Sequence, residues 1–171
     1  MTPLAALVRT IPDFPVAGVQ FRDLSPLLAD GAALAASVQD LVAPFRGDRV
    51  EAVAGVEARG FIFGALAARE LGLGFVPLRK PGKLPAAVES VSYRLEYGQA
   101  SLEAHLDAVP RGRRVLVVDD VLATGGTAEA AVELLARVGA TVVGAAFVLE
   151  LAALGGRARL PGLKVASLLT Y

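Results

Sequence analysis

The sequence predicts an α/β fold: a single domain with a mostly parallel central sheet flanked by helices. Three observations predict it. Short apolar runs of strand length alternate with stretches of helical pattern, the signature of βαβ units. The length of 171 residues is the size of one ordinary domain. Hydrophobic residues make up 54% and charged residues 20%, which excludes a disordered chain, because disorder needs low hydrophobicity and high net charge.

The elements follow in order. The segment IPDFPVAGVQFRD, bracketed by Pro12 and Pro15, reads as irregular. Asp30 caps a helical pattern reaching about Pro44, with Leu34, Val38, Leu41 and Val42 on one face. Glu51 to Glu57 is a short apolar run of the buried-strand type, and Arg59 to Leu71 is a helix closed by Gly72. Gly74 to Arg79 is a further strand. Glu89 to Glu96 and Ser101 to Leu106 alternate in polarity and read as a hairpin joined through Tyr97-Gly98-Gln99. Arg114 to Val118 is a buried strand, and Gly126 to Val138 is a helix stopped by Gly139. Glu133 and Arg137 form a favourable i,i+4 pair on that helix's wet face. Thr141 to Leu149 and Val165 to Leu169 complete the strands. In such sheets ligands bind outside the carboxyl ends of the strands, so the loops after Val56 and Val118 are where function is sought.

Composition narrows the chemistry. Lys+Arg and Asp+Glu are 17 each, so no global field draws the chain to nucleic acid or an anionic membrane. The absence of Cys removes disulfides, thiolate metal sites and cysteine nucleophiles, and a single His argues against a Ser-His-Asp triad or a multi-His metal site. The longest charge-free stretch, Val138 to Leu149, is too short to span a bilayer, and the opening MTPLAALVRTIPDF lacks the form of a signal peptide. The expected location is the cytoplasm.

The most informative segment is VLVVDDVLATGGT, Val115 to Thr127. A buried strand runs into Asp119 and Asp120, read as carboxylates exposed at its carboxyl end. Ala123-Thr124-Gly125-Gly126-Thr127 then opens a helix. Its glycines let backbone amides approach an anion, the helix start offers unpaired N–H groups, and Thr124 and Thr127 add hydroxyls. No Lys follows the glycines as in a Walker loop, and no G-x-G-x-x-G is present. Acids this close to a phosphate loop suit a sugar phosphate, with the loop on the 5′-phosphate and the carboxylates on ribose hydroxyls.

Three further segments bear charge at turns. In GVEARGF, Arg59 sits at a helix start, an unfavourable place for a cation unless an anion is near, and is suited to clamping pyrophosphate. RKPGKLP gathers Arg79, Lys80 and Lys83 around a Pro-Gly turn, either as a solvated basic loop or as an anion site. SYRLEYG puts Glu96 and Tyr97 at the hairpin tip, either as a lid or as a plain turn.

VVDDVLATGGT closely resembles the phosphoribosyl pyrophosphate signature of the type I phosphoribosyltransferases. With IPDFP, GVQFRD, EARGF, RKPGKLP, SYRLEYG and SLLTY, in that order over nearly the whole chain, the sequence resembles the adenine-specific branch of that family. Two departures are Gln20, where relatives often carry an apolar residue, and Ala58, where they often carry Ser.

The resemblance implies a type I phosphoribosyltransferase fold with a small base-binding hood in residues 1–30 and a flexible lid hairpin in 80–106. It implies transfer of 5-phosphoribosyl from phosphoribosyl pyrophosphate (PRPP) to adenine, giving AMP and pyrophosphate in purine salvage. Mg²⁺ is implied as cofactor, carried mainly by PRPP without direct protein ligands. PRPP binding falls to Asp119, Asp120, Ala123, Thr124, Gly125, Gly126, Thr127, Arg59, Lys80 and Lys83, and adenine binding to Gln20, Phe21 and Arg22. Glu96, Arg59 and Lys83 are the implied catalytic residues, with Glu96 and Tyr97 on the lid. The resemblance further implies a homodimer, with Lys83 acting across its interface, and a cis Glu57–Ala58 peptide. His105 reads as a structural position in the hairpin.

Overall fold

The residue-by-residue alternation of the apolar strands decides the layering. In a computed structural model, which describes residues 3–94 and 99–171 (Arg94 by its backbone alone), five strands form one parallel sheet. They are β3 (Ala52–Val56), β4 (Gly74–Leu78), β7 (Arg114–Leu122), β8 (Thr141–Glu150) and β9 (Val165–Thr170), in the order β4-β3-β7-β8-β9. Ala52, Ala54, Val115 and Val117 point into one layer, and Val53, Leu116 and Val118 into the other. With helices on both faces, the centres of β3, β7 and β8 are apolar on both sides rather than alternating, as buried parallel strands are.

The second layer holds α1 (Ser25–Ala29), α2 (Gly31–Val42) and α3 (Gly60–Leu71), packed on Leu41, Phe45, Phe63 and Val148. Asp30 Oδ1 accepts the Ala33 N–H at 3.0 Å and caps α2, as its position predicts. The helix ends at Val42, and a short 3₁₀ turn over Ala43–Phe45 takes up the remainder of the expected span. Gly72 closes α3 at φ +68°. Helix α3 lies close on the sheet because Gly55 and Gly64 leave room for the Phe75 ring; a Cβ on either would come within 2.6–2.8 Å of it.

The first layer holds α4 (Gly126–Arg137) and the antiparallel hairpin β5 (Val88–Arg94) with β6 (Gln99–His105). Val91, Leu102 and Ala104 are buried against α4 and the sheet, so the body of the hairpin is part of the core. Arg137 ties the two together, bonding Glu133 at 2.6 Å and Glu89 at 3.2 Å. Leu95 to Gly98, including the predicted lid residues Glu96 and Tyr97, lie outside the described residues.

The opening segment differs from expectation. Strand β1 (Arg9–Pro12) runs into the stretch read as irregular and pairs antiparallel with β2 (Gln20–Asp23) at its end, with Ile11 opposite Phe21. Asp23 is buried and fixes the end of this pair, accepting from Arg9 Nη2 at 2.5 Å and from the Ser25 hydroxyl at 2.6 Å. The two-stranded hood stands over the carboxyl ends of the central strands. Among the described residues, no helix is long and apolar enough to cross a membrane.

Candidate active site

Strands β3 and β7 are neighbours, with Gly55 opposite Val118, so the loops that leave them open side by side. A cleft of about 580 Å³ lies there, a volume suited to a small ligand. It brings together Gln20, Phe21 and Arg22 from the hood, Arg59 and Lys80, and Asp119, Asp120, Ala123 and Thr127 from β7 and its loop. A recess of about 70 Å³ continues from it under Thr124, Gly125 and Gly126, sharing Asp119, Ala123 and Thr127. Ten of the residues singled out from the sequence therefore converge, along with Gly125 and Gly126, on one connected space.

The acidic pair corrects the sequence reading. Strand β7 does not stop at Val118; it pairs with β8 as far as Leu122 opposite Glu150. Asp119 and Asp120 thus sit inside the strand on opposite faces, and Asp120 is buried at 6% exposure rather than solvated. The ladder satisfies the backbone beyond Val118, so two carboxylates do not end the strand. Asp119 Oδ1 accepts the Asp120 N–H at 2.8 Å. Burial, and then the neighbouring Asp120 charge, push the Asp119 carboxyl well above its ordinary range. Helix α3 starts against it: a Cβ on Gly60 would lie 2.5 Å from Asp119 Oδ1.

Arg59 has the anion that its position at the start of α3 demands. Its Nε donates to Asp120 Oδ2, while about half of the side chain stays exposed to the cleft. The Glu57–Ala58 peptide before it is cis, as the resemblance implies.

Sequence reasoning passed over Glu57. Its Oε1 accepts from Arg79 Nη2 at 3.0 Å and Lys83 Nζ at 2.9 Å, and its Oε2 accepts the Lys80 N–H at 3.1 Å. The Arg79 bond, followed by that of Lys83, holds the Glu57 carboxyl down at about 2. The basic loop is therefore folded onto its own chain. Lys80 lines the cleft, whereas Lys83 is paired with Glu57 at the rim and is not among the lining residues. The signal available was an acid directly after one buried strand and three cations directly after the next.

The glycine loop has the form its spelling predicts. Gly125 takes φ +83° and α4 begins at Gly126, so the free amides of the first turn face the recess. The Thr127 hydroxyl lies 3.4 Å from the Tyr93 hydroxyl, which brings the hairpin to the same space.

At the far end the surface turns apolar and aromatic. Phe21 meets Phe14 edge-to-face at 5.1 Å, and Val19, Leu149 and Leu151 line the adjoining wall. The Arg22 guanidinium stacks 4.1 Å from the ring centre of Tyr171 and donates to the Thr10 hydroxyl. Tyr171 had no role in the sequence reading beyond closing SLLTY. His105 lies apart from this cleft, its Nε2 2.5 Å from the Pro85 carbonyl.

Among the described residues, no three His, Cys, Asp or Glu side chains cluster as a metal site. The donors near the recess are Asp119, Asp120 and two hydroxyls, with Asp120 already engaged by Arg59. That set suits Mg²⁺, which keeps several waters and takes one or two carboxylates plus substrate phosphates.

A family model described as a phosphoribosyl transferase domain matches residues 20–160. The adenine phosphoribosyltransferase of Methylococcus capsulatus is 61% identical over 171 residues, all of both chains. A crystal structure of the adenine phosphoribosyltransferase of Thermoanaerobacter pseudethanolicus superposes with a TM-score of 0.95 at 47% identity, covering 98% of each chain. The Saccharomyces cerevisiae enzyme, complexed with an imino-altritol bisphosphate and adenine, superposes with a TM-score of 0.90 at 37% identity over 96% of each chain.

Proposed function

This chain belongs to the adenine phosphoribosyltransferases, and on that premise we propose that it transfers the 5-phosphoribosyl group of PRPP to adenine, releasing AMP and pyrophosphate. One observation carries the reading: a single cleft runs from an anion cradle, past two carboxylates, to an aromatic and apolar wall. That sequence of surfaces matches phosphate, ribose and purine in turn.

The bond from ribose C1 to the pyrophosphate oxygen breaks and a bond from adenine N9 to C1 forms. The sugar passes through an oxocarbenium-like state while charge gathers on the leaving pyrophosphate. No covalent nucleophile is needed, so a chain without Cys and with one His suffices. Catalysis is then positioning and electrostatic stabilisation. The Ala123–Thr127 loop holds the 5′-phosphate. Asp119 and Asp120 accept bonds from ribose hydroxyls, Asp120 exchanging its bond from Arg59. Arg59, Lys80 and Lys83 neutralise pyrophosphate, Lys83 across a dimer interface. Asp119 is the carboxylate left to hold Mg²⁺ brought in with the substrate, and the ion would supply positive charge against the leaving pyrophosphate. Gln20, Phe21 and Arg22 enclose the base. Glu96 is assigned to proton transfer at the base or to its electrostatic support, and Tyr97 to closing the lid. A cytoplasmic homodimer completes the reading.

Base choice tests it. Adenine presents a 6-amino donor and an N1 acceptor; hypoxanthine reverses both. Backbone groups around Val19 to Phe21 cannot reverse their polarity. Two mismatched buried bonds at about 1–3 kcal/mol each give about thirty- to ten-thousandfold discrimination in kcat/KM. The assay is pyrophosphate release with adenine, hypoxanthine and guanine at saturating PRPP. Hypoxanthine used within a few-fold of adenine overturns the adenine assignment, and failure to release pyrophosphate with any of the three bases overturns the enzyme.

A further inference from the structure

Beyond β8 the chain makes a turn that no part of the mechanism above uses. Gly155 takes φ +66°, and Gly156–Arg159 form a single 3₁₀ turn with Gly156 buried. This turn lies flat on the glycine loop. A Cβ built on Gly156 would come 2.9 Å from the Gly125 nitrogen and closer still to the Ala123 carbonyl oxygen. One built on Gly125 would strike the Gly156 backbone in return. Two glycines thirty-one positions apart in the chain leave room for each other and for nothing more.

The turn is held from two sides. Arg157 grips Glu150, the last residue of β8, with Nε to Oε1 at 3.0 Å and Nη2 to Oε2 at 2.5 Å. Its Nη1 donates to the Val165 carbonyl at 2.8 Å, and the Ser167 hydroxyl donates to Glu150 Oε2 at 2.7 Å. Glu150 is 6% exposed, so its charge is desolvated and its partner is costly to remove. On the other side Arg159 Nη1 donates to Glu129 Oε2 at 2.8 Å, and Glu129 lies in the first turn of α4. Arg157 does not line the cleft or the recess.

We propose that Arg157, locked to Glu150, is a positioning residue that sets the shape of the phosphate loop by pressing Gly156 against Ala123–Gly125. The proposal rests on the reading of Ala123–Thr127 as the 5′-phosphate site. The bidentate fork fixes the turn, the turn backs the loop, and the loop presents its amides at one separation. Lys cannot replace Arg here, because an ammonium makes no fork.

The test is calorimetric binding of ribose 5-phosphate together with steady-state kinetics on Arg157→Ala, Arg157→Lys and Glu150→Gln. Misplacing a binding loop by about 1 Å from a distance costs up to about a hundredfold. The expected result is a ten- to hundredfold loss of ribose 5-phosphate affinity by that scale, a matching rise in KM for PRPP, and a KM for adenine within about twofold of the parent. The Glu150→Gln/Arg157→Ala double variant is expected to lose no more than Arg157→Ala alone, since the two act as one unit. Arg157→Lys keeps the charge, and carries the test if Arg157→Ala does not fold. Equal rises in KM for both substrates, or unchanged ribose 5-phosphate affinity in folded Arg157→Lys, overturn the proposal. Thr127→Val separates the two readings. If it leaves ribose 5-phosphate binding intact, the phosphate-loop reading falls and this proposal with it. If it weakens binding while the Arg157 variants do not, only the role of Arg157 falls.

Discussion

Gly60→Ala adds one methyl group where α3 meets β7. Its Cβ would sit 2.5 Å from Asp119 Oδ1 and 3.2 Å from Asp119 Cα, where ordinary contact begins at 3.4 Å. The backbone shortfall of a few tenths of an ångström can be absorbed by the helix at the lower end of overpacking costs, about 1 kcal/mol. For a chain of this size that is a fall in Tm of about 2–4 °C. The carboxylate shortfall is nearly 1 Å by the same arithmetic (3.4 less 2.5), and a side-chain tip yields before a strand does. Asp119 then turns away from the Asp120 N–H that it accepts at 2.8 Å, and from the ribose hydroxyl assigned to it. Losing a hydrogen bond to a charged group costs about 1.5–3 kcal/mol, or about ten- to a hundred-and-fiftyfold in kcat/KM for PRPP. The control is Gly31→Ala, at the start of α2, where an added Cβ meets nothing within 4 Å. It should keep full activity and gain up to about 0.5 kcal/mol of stability. The assay is PRPP-dependent AMP formation beside thermal unfolding of both variants. Wild-type kcat/KM for PRPP in Gly60→Ala refutes the reasoning, because the methyl group has no other place to go.

Asp119→Asn is expected to raise Tm at neutral pH while lowering transfer. The folded chain holds the Asp119 proton more tightly than the unfolded chain does, so ionising it costs stability as pH rises past about 4; a lower Tm with full activity contradicts this. Glu57 titrates in the opposite sense: its lowered carboxyl gives stability that is complete above pH 4.5 and lost as pH falls through about 2. Glu57→Gln should therefore lower Tm at pH 7 and flatten part of the acid arm of a Tm-against-pH curve, with Asp23 retaining its share; an unchanged arm counts against the Arg79–Glu57–Lys83 cluster. Arg22→Ala should raise KM for adenine about two- to thirtyfold, the range of a cation–π stack, with selectivity over hypoxanthine kept. Tyr171→Ala should show the same effect more weakly, and equal loss of adenine selectivity in either variant would assign Arg22 to readout rather than enclosure.

Features carried by local spelling were legible. Asp30 and Gly72 mark helix ends through their own side chain or conformation, and the apolar runs of β3 and β7 need no partner to be recognised. The glycine loop was legible for the same reason, since its chemistry is local. The pair β1–β2 was not, because Pro12, Pro15 and Gly18 hide the alternation and the pairing is set by Asp23 binding back to Arg9. Strand β7 was cut short at Val118 because two adjacent acids look solvated. What keeps them inside is Arg59, sixty-one residues away, and the β8 ladder. Glu57 escaped notice for a like reason: its three partners belong to another strand end, and a lone acid carries no sign of the cations it will meet.

The cations in the cleft and at its rim that hold carboxylates of their own chain have a consequence for how substrate arrives. Arg59 stands against Asp120, and Arg79 and Lys83 against Glu57. Seen from bulk solvent these three cations and two carboxylates leave a single positive charge, and the chain as a whole is neutral. Little attraction beyond that of one charge then reaches past a screening length of about 10 Å at 0.1 M salt, so ionic strength should change the association rate only modestly. Capture becomes an exchange at short range, in which substrate oxygens displace carboxylates from guanidinium and ammonium groups. On the proposed reaction, Arg59 returns to Asp120 and Lys83 to Glu57 when pyrophosphate departs, so product release leaves neither of these charges stranded.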